Sequence, residues 1–177
     1  MALTLKQLRS ALEHMDAPEL RAVVEDLYKA SIDNKRLLTA KLNGDISDLR
    51  GKLSQELEKA FRTSGRLPSM KVGGAKKALT AFVKVASPVE ALDAELAYVE
   101  AGVACLNTYG DWPENNYTSM EKVFEAALAR AEQLPSDQIP YERLDTLVEN
   151  ADGFGYGFSD QLSWLYDEFL ARMERGD

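Results

Sequence analysis

Apolar residues recur at helical spacing along almost the whole of this 177-residue chain. The first such segment carries Leu5, Leu8, Leu12 and Met15 on one face, which is the spacing of an amphipathic helix. No segment alternates convincingly between apolar and polar residues over four or more positions, the pattern typical of a half-buried strand. The spacing therefore predicts an all-α protein.

Capping signals divide the chain into eight or nine helices. A capping box, in which a side-chain acceptor precedes a Glu by three residues, is present at Asp16–Glu19, Ser87–Glu90 and Thr118–Glu121. Asn43-Gly44 ends another helix. The predicted helices are 4–15, a second from 16, 32–42, 45 or 47 to 61, 74–86, 88–109, 118–133, 138–150 and 159–174. Short connections favour antiparallel hairpins, in a compact bundle or a short superhelical array, as one domain over 1–177.

The helix predicted over 88–109 is apolar around most of its circumference, and Glu100 is the only charged residue between Leu96 and Gly110. Such a helix is predicted to be central and covered on several sides. A carboxylate in these surroundings has to pair, reach solvent at a cleft, or hold a proton. One alternative is that Glu100 pairs with a basic residue from the first half of the chain.

Charge divides the chain into two halves. The first half, about 1–86, carries 16 Lys and Arg against 10 Asp and Glu, and the second, about 87–177, carries 5 against 19, so that nets of +6 and −14 give −8. Seven basic residues and no acid lie between positions 59 and 89: Lys59, Arg62, Arg66, Lys71, Lys76, Lys77 and Lys84. This asymmetry indicates either a partner surface or packing of the basic half against the acidic half.

Nucleic acid is the disfavoured partner for the basic stretch 59–89. Lys and Arg can neutralise phosphates, but the only aromatic residues there, Phe61 and Phe82, are at inward helical positions. No stacking platform is therefore evident, and the chain as a whole is acidic. A protein partner is the expectation that remains.

Single residues exclude several chemistries. His14 is the only histidine and Cys105 the only cysteine, which excludes Cys–His zinc sites, di-iron sites with two Glu-x-x-His motifs and an internal disulfide. Cys105 is predicted to be a buried, inert thiol. We predict no catalytic residue, metal or cofactor. Since no apolar run approaches a membrane span and the start does not resemble a secretory signal, we expect a cytoplasmic protein without membrane association.

The stretch GFGYGFSDQL, residues 153–162, alternates three glycines with three aromatic residues. It follows a predicted helix instead of a strand, has the wrong glycine spacing for a dinucleotide loop and lacks the lysine of a P-loop. We interpret it as a turn, with Gly153 ending one helix and Ser159 or Asp160 capping the next.

Two functional classes remain open. The first is a non-enzymatic interaction or scaffold protein, whose partner surface involves the basic stretch or the acidic half. The second is a protein, with or without enzymatic activity, that binds a small ligand or a cation in a pocket between the 107–117 loop and the 153–160 turn. The residues predicted to line that pocket are Glu100, Asn107, Tyr109, Asp111, Tyr117, Tyr156 and Asp160.

Two stretches, YVEAGVACLNTYGDWPENNYTSMEKVFEAAL and GFGYGFSDQLSWLY, resemble a family of small, mostly bacterial proteins catalogued as domain of unknown function 6155. The opening LTLKQLRSALEHMDAPELRAVVEDLYKAS is similar to the opening of that family, so the resemblance covers nearly the whole chain. It implies an all-helical single domain and brings no activity, substrate or catalytic residue.

Overall fold

Nine α-helices and one turn of 3-10 helix make up the secondary structure of the residues that the computed structural model describes, 2–110, 112–155 and 157–176. No strand is present in these ranges, so the predicted all-α class is confirmed. The helices are α1 (Leu5–Glu13), α2 (Ala17–Ala30), α3 (Ile32–Asn43), α4 (Ser47–Phe61), α5 (Gly73–Val83), α6 (Pro88–Tyr109), α7 (Glu114–Ala131), α8 (Tyr141–Asn150) and α9 (Phe158–Gly176).

The chain divides into two compact units, residues 1–45 and residues 46–177, called unit 1 and unit 2 below. Unit 1 holds α1 to α3 and unit 2 holds α4 to α9. The expectation of a single domain over 1–177 stays a prediction.

Unit 1 is built on a hairpin in which α2 packs against α3. The predicted capping box of Asp16 and Glu19 is present, and a second box, between Thr4 and Gln7, begins α1. Gly44 ends α3 in the left-handed region, with φ +72°, as the Asn43-Gly44 signal predicts. Local capping therefore fixes where these helices begin and end.

Unit 2 is organised around α6, which packs against α4, α5, α7 and α8. Eleven residues of α6 are buried, including the largest apolar ones on two adjacent stripes, so the predicted central helix is confirmed. The other packed pairs of unit 2 are α4 with α5, α7 with α9 and α8 with α9. Among the described residues, no helix combines the length and the apolarity needed to cross a membrane.

The start of α7 differs from the prediction. The Thr118–Glu121 signal predicts a helix from about 118, whereas α7 begins at Glu114, and Thr118 donates its hydroxyl hydrogen to the Glu114 carbonyl from inside the helix. Asn116 and Tyr117, which the prediction places in a loop, are 3% and 2% exposed. Burial of these two side chains extends the helix by one turn beyond the local capping signal.

The turn before α9 also differs in detail. Gly153 and Gly157 have φ values of +80° and +72°, which glycine adopts without strain. The helix begins at Phe158, which is fully buried, so Ser159 and Asp160 lie in its first turn and do not precede it as caps. The Ser159 hydroxyl instead donates to the Asp152 carboxylate at 3.2 Å.

Candidate functional site

Glu100 lies on the face of α6 that meets α8, where Arg143 pairs with it. Arg143 donates to the two Glu100 carboxylate oxygens from Nε and Nη2, at 2.6 and 2.8 Å, and from Nη1 to Asp93 at 2.7 Å. The hydrogen bonds to Glu100 and then to Asp93 raise the pKa of Arg143, against the effect of its burial. The alternative that Glu100 pairs with a residue of the first half is therefore wrong, because its partner comes from α8 in the acidic half.

A groove of about 760 Å³ runs between α6 and α8 beside this pair. Glu100 and Asn107 line it, two turns apart on α6, and the Asn107 amide donates to the Asn150 carbonyl at 3.0 Å. The rest of the lining is mainly hydroxyl, amide and aliphatic: Thr63, Val103, Ala104, Thr108, Glu142, Thr146, Leu147 and Asn150, with Arg143. Such a lining can hydrogen-bond a small polar molecule.

The remaining candidate residues that the structure describes, Tyr109, Tyr117 and Asp160, do not line this groove. Tyr117 is buried, with its ring 5.2 Å from the Phe158 ring and 6.5 Å from the Trp112 ring. Tyr109 and Asp160 are exposed. Two further candidates, Asp111 and Tyr156, lie outside the described residues.

The loop and the turn predicted to enclose a pocket thus meet, over their described residues, through aromatic rings that pack on one another. Trp112 continues this packing onto Phe61 of α4, with ring centroids 5.3 Å apart and nearly parallel. The structure therefore brings Glu100 and Asn107 together at the α6–α8 groove, and Tyr117 belongs to the core. The sequence analysis did not single out Arg143. Arg143 is the only basic residue between Arg130 and Arg172, and this isolation is a signal that could have identified it.

The surroundings of Cys105 and His14 indicate structural roles for both side chains. Cys105 is fully buried on α6, and burial raises the pKa of its thiol to about 11, so it is protonated at neutral pH. His14 is exposed, with its Nδ1 2.7 Å from the Ser10 carbonyl oxygen. Within the described ranges, no three His, Cys, Asp or Glu side chains are grouped so that they could hold a metal ion.

Unit 2 carries a strongly basic surface on the α4–α5 hairpin. It is formed by the seven cations of the stretch 59–84, and all of them are exposed except Arg62, which is half-buried. Lys59 and Arg62 make only loose contacts with Glu56 and Glu58, at 3.9 and 3.8 Å. Within the described part of the chain, four of the seven have no ion-pair partner: Arg66, Lys71, Lys76 and Lys84. We call the seven side chains the basic surface.

The loop that carries the middle of the basic surface is held in place by hydrogen bonds. The amides of Ser69 and Met70 donate to the carbonyls of Lys59 and Ala60 at the end of α4, at 3.0 and 3.3 Å. The buried Asn116 side chain donates to the Met70 carbonyl at 3.1 Å. Met70 has a φ of +53°, which is strained for a residue with a side chain and persists because these bonds fix it. The same loop presents Leu67, which is 78% exposed.

The ion pairs between the basic half and the start of α6 are made by Arg50, which is not part of the basic surface. Arg50 of α4 reaches Glu90 at 3.1 Å and Asp93 at 3.7 Å, both at the start of α6. Asp93 is shared with Arg143, so one chain of charges joins α4, α6 and α8. The basic surface takes no part in this network and stays available to solvent.

Exposed apolar side chains are concentrated in unit 1. Among the described residues, it carries eight of the twelve large hydrophobic side chains that are markedly exposed: Leu3, Leu5, Leu8, Val24, Leu27, Tyr28, Ile32 and Leu42. Ala40 is the one buried residue of unit 1 in the same ranges. Unit 1 therefore exposes more of its large apolar side chains than unit 2 does, which is a feature of interaction sites.

Comparison with known protein families, curated proteins and solved structures finds no match to this chain. The resemblance to the domain of unknown function 6155 family stays a prediction that rests on the quoted motifs.

Proposed function

We propose that this chain is a non-enzymatic interaction protein of the cytoplasm, and that its basic surface binds an acidic segment of a protein partner. The observation that carries the proposal is the run from Lys59 to Val89, in which seven cations and no acid occur and six of the cations are exposed. A surface of one sign steers and selects partners of the opposite sign. The charge network of Arg50 and Arg143 does not include Arg66, Lys71, Lys76 or Lys84, which have no ion-pair partner among the described residues.

The chemistry of the surface favours an acidic protein segment over nucleic acid. The two aromatic residues of the stretch, Phe61 and Phe82, are 2% and 0% exposed, so no ring is offered for a base to stack on. Leu67 is exposed beside Arg66 and close in sequence to Lys71. An exposed apolar side chain between cations in the sequence fits an acidic segment that also carries apolar residues.

The groups that would supply catalysis are engaged elsewhere, which supports a non-enzymatic role. Both oxygens of Glu100 accept hydrogen bonds from Arg143, so the carboxylate is held as a partner of a cation. The Cys105 thiol is buried and protonated. These placements do not provide a nucleophile beside a base.

The test is a binding measurement with defined probes. A fluorescent peptide rich in Asp, Glu and Leu, a single-stranded RNA and a DNA duplex are titrated with the protein at several salt concentrations. We expect the peptide to bind most tightly, with an affinity that falls as salt rises. Replacing Arg66, Lys71 and Lys84 by Glu should weaken peptide binding by at least about tenfold, because these cations are exposed.

A matched variant replaces Lys41, Lys122 and Arg175 by Glu, which changes the net charge equally at exposed positions outside the basic surface. This variant should bind the peptide like the wild type. Equal weakening in both variants would show a general charge effect and contradict the proposal. Tighter binding of either nucleic acid than of the peptide would assign the surface to nucleic acid instead.

A second candidate function is small-ligand binding at the α6–α8 groove. It is favoured by the convergence of Glu100 and Asn107 on one groove with the hydroxyls of Thr63, Thr108 and Thr146. A thermal-shift screen of polar metabolites tests it, because a ligand that binds only the folded state raises the melting temperature. Thr146→Val, which keeps the shape of the side chain and removes its hydroxyl, should abolish a shift that arises in this groove. A shift that persists in this variant and in Glu100→Gln would place the ligand elsewhere.

A further inference from the structure

The two helices that form the α6–α8 groove run in the same direction. Arg143, near the start of α8, donates to Glu100 of α6. Asn150, the last residue of α8, accepts from Asn107, which lies seven residues beyond Glu100 along α6. Both helices therefore end at the same end of the groove, and neither carries a basic residue in its last turn. Two helix C-termini without a cation to balance them give this end of the groove a negative potential.

The threonine hydroxyls of the groove offer acceptors to a bound molecule. Thr108 donates its hydroxyl hydrogen to the Ala104 carbonyl at 2.8 Å. Thr146 donates in the same way to the Glu142 carbonyl at 2.8 Å. Since a hydroxyl has one hydrogen, each of these oxygens can then only accept from a ligand. The side-chain oxygen of Asn107 is a further acceptor, because the bond between the helices is made by its amide nitrogen.

The other end of the groove also has more acceptors than donors. Glu100, Glu142 and Arg143 are the charged side chains of the described lining, with a net of one negative charge. Arg143 makes four hydrogen bonds to Glu100 and Asp93, which engage four of the five N–H groups of its guanidinium. The Glu142 carboxylate is exposed, and each oxygen of Glu100 keeps a further lone pair. A ligand at this end therefore meets mainly carboxylate oxygens.

An aliphatic stretch separates the two polar ends. Val103, Ala104 and Leu147 line the groove there, and Val103 and Leu147 are buried. At about 1.5 Å per residue, the seven residues from Glu100 to Asn107 place the two ends about 10 Å apart. Within the described ranges, no acidic groups are clustered so that they could hold a metal ion. The fitting molecule therefore carries N–H donors at both ends and methylene groups between them.

We propose that the α6–α8 groove binds a linear diamine or polyamine, with one ammonium group at Glu100 and Glu142 and another at the C-terminal ends of α6 and α8. Its methylene chain lies along the aliphatic stretch. An anion does not fit, because the helix C-termini repel it and Arg143 has one N–H group left to donate. The inference rests on the second candidate function, small-ligand binding in this groove, and is independent of the basic surface.

Isothermal titration calorimetry with amines of different length tests the proposal. Octamethylenediamine has two ammonium groups separated by roughly the distance between the two polar ends, putrescine is shorter, and octylamine has one ammonium group. We expect octamethylenediamine to bind at least about fivefold more tightly than either of the others, because it alone reaches acceptors at both ends. Equal affinities of the three amines at physiological salt would overturn the proposal.

A lysine substitution tests the end formed by the helix C-termini. Thr108→Lys places a competing ammonium group there and should weaken octamethylenediamine binding by at least about tenfold, because like charges repel. Thr80→Lys is the matched control. Thr80 is an exposed threonine in the last turn of α5, and its hydroxyl also donates to a carbonyl four residues earlier at 2.8 Å. Similar weakening in both variants would show a general attraction of the amine to an acidic protein and overturn the proposal.

A matched pair of glutamates tests the opposite end. Glu142→Gln should weaken octamethylenediamine binding by about threefold to fivefold, because it removes one exposed carboxylate from the site. Glu125→Gln, at an exposed glutamate of α7 outside the groove lining, should leave binding unchanged. Equal effects of the two changes would overturn the proposal. A neutral or anionic metabolite whose thermal shift depends on Thr146, with no binding of any amine, would keep the groove as a ligand site and overturn the assignment to amines.

Discussion

The Arg130 guanidinium pairs with a carboxylate that has almost no contact with water. Nε and Nη2 of Arg130 donate to the two oxygens of Glu95 at 2.8 and 2.9 Å, and Glu95 is 4% exposed. The hydrogen bond to Glu95 raises the pKa of Arg130 against the effect of burial. Removing one member of such a pair leaves a buried charge without compensation.

We therefore expect Arg130→Ala to lower the free energy of unfolding by about 3 kcal/mol. The measurement is urea denaturation followed by circular dichroism. Arg172→Ala is the matched control, since Arg172 pairs with Glu132 at 2.6 Å but both side chains are substantially exposed. That change should cost no more than about 1 kcal/mol. Similar losses in the two variants would contradict this account of Glu95.

At the scale of the helices, the contact between α6 and α7 depends on Gly102. A Cβ at this position would overlap the sulfur of Met120, which is fully buried on α7. Replacing a helical glycine by alanine favours the helix by about 1 kcal/mol, but overpacking a core costs about 1–3 kcal/mol. We expect the overlap to dominate, so that Gly102→Ala lowers the free energy of unfolding.

Gly51 provides the opposite case within α4. It is exposed, and a Cβ there meets nothing within 4 Å. Gly51→Ala should therefore raise the free energy of unfolding by about 0.5–1 kcal/mol.

The control for Gly102 removes the side chain that obstructs it. In a Met120→Ala background, Gly102→Ala should also become stabilising. A destabilising effect that persists there would mean that Met120 is not the obstacle.

The stability that the capping box at the start of α6 contributes should depend on pH. The Ser87 hydroxyl donates to Glu90 at 2.7 Å, and this bond is the main reason that the pKa of Glu90 lies below its ordinary value of 4.5. A lowered pKa in the folded state contributes stability above the unfolded value, and this is lost as pH falls through the folded value. Ser87→Ala should cost about 1 kcal/mol at neutral pH and less below pH 4.5.

Thr4 and Gln7 form the matched box at α1, in which the reciprocal acceptor is an amide that does not titrate. The loss of stability caused by Thr4→Ala should therefore not change over the same pH range. Chemical denaturation at a series of pH values measures both variants. A constant loss for Ser87→Ala would show that Glu90 contributes nothing through its charge.

At the scale of the whole molecule, the two units differ in how much apolar surface they bury. Helices α4 to α7 each contain four or more buried residues, whereas α1 and α2 contain none and α3 contains one. Segments with few buried contacts open locally at low free energy. We expect the amides of unit 1 to exchange with deuterium at least about tenfold faster than those of α6 and α7 at low protein concentration.

Hydrogen exchange followed by mass spectrometry measures this difference peptide by peptide. Equal protection of the amides in the two units would contradict the prediction that unit 1, which buries fewer residues, opens more easily.

The sequence by itself determined the helices and most of their boundaries. Asp16, Gly44 and Ser87 act on backbone groups within about four residues, so their effect can be read from a short window. The burial of α6 can also be predicted from a short window, because its own residues are apolar around most of the helix. The helix α7 was predicted one turn short because Asn116 and Tyr117 are buried by distant residues, which no local signal reports.

Only the tertiary structure decided the partners and the surfaces. Glu100 and Arg143 are 43 positions apart, and the packing of α6 against α8 determines that they meet. Packing likewise leaves the basic surface in solvent and closes the described part of the loop and turn with aromatic rings. It also leaves Leu5 and Leu8 of α1 exposed. Caps and periodicity are short-range properties of the chain, whereas exposure and ion pairing depend on which distant helices lie side by side.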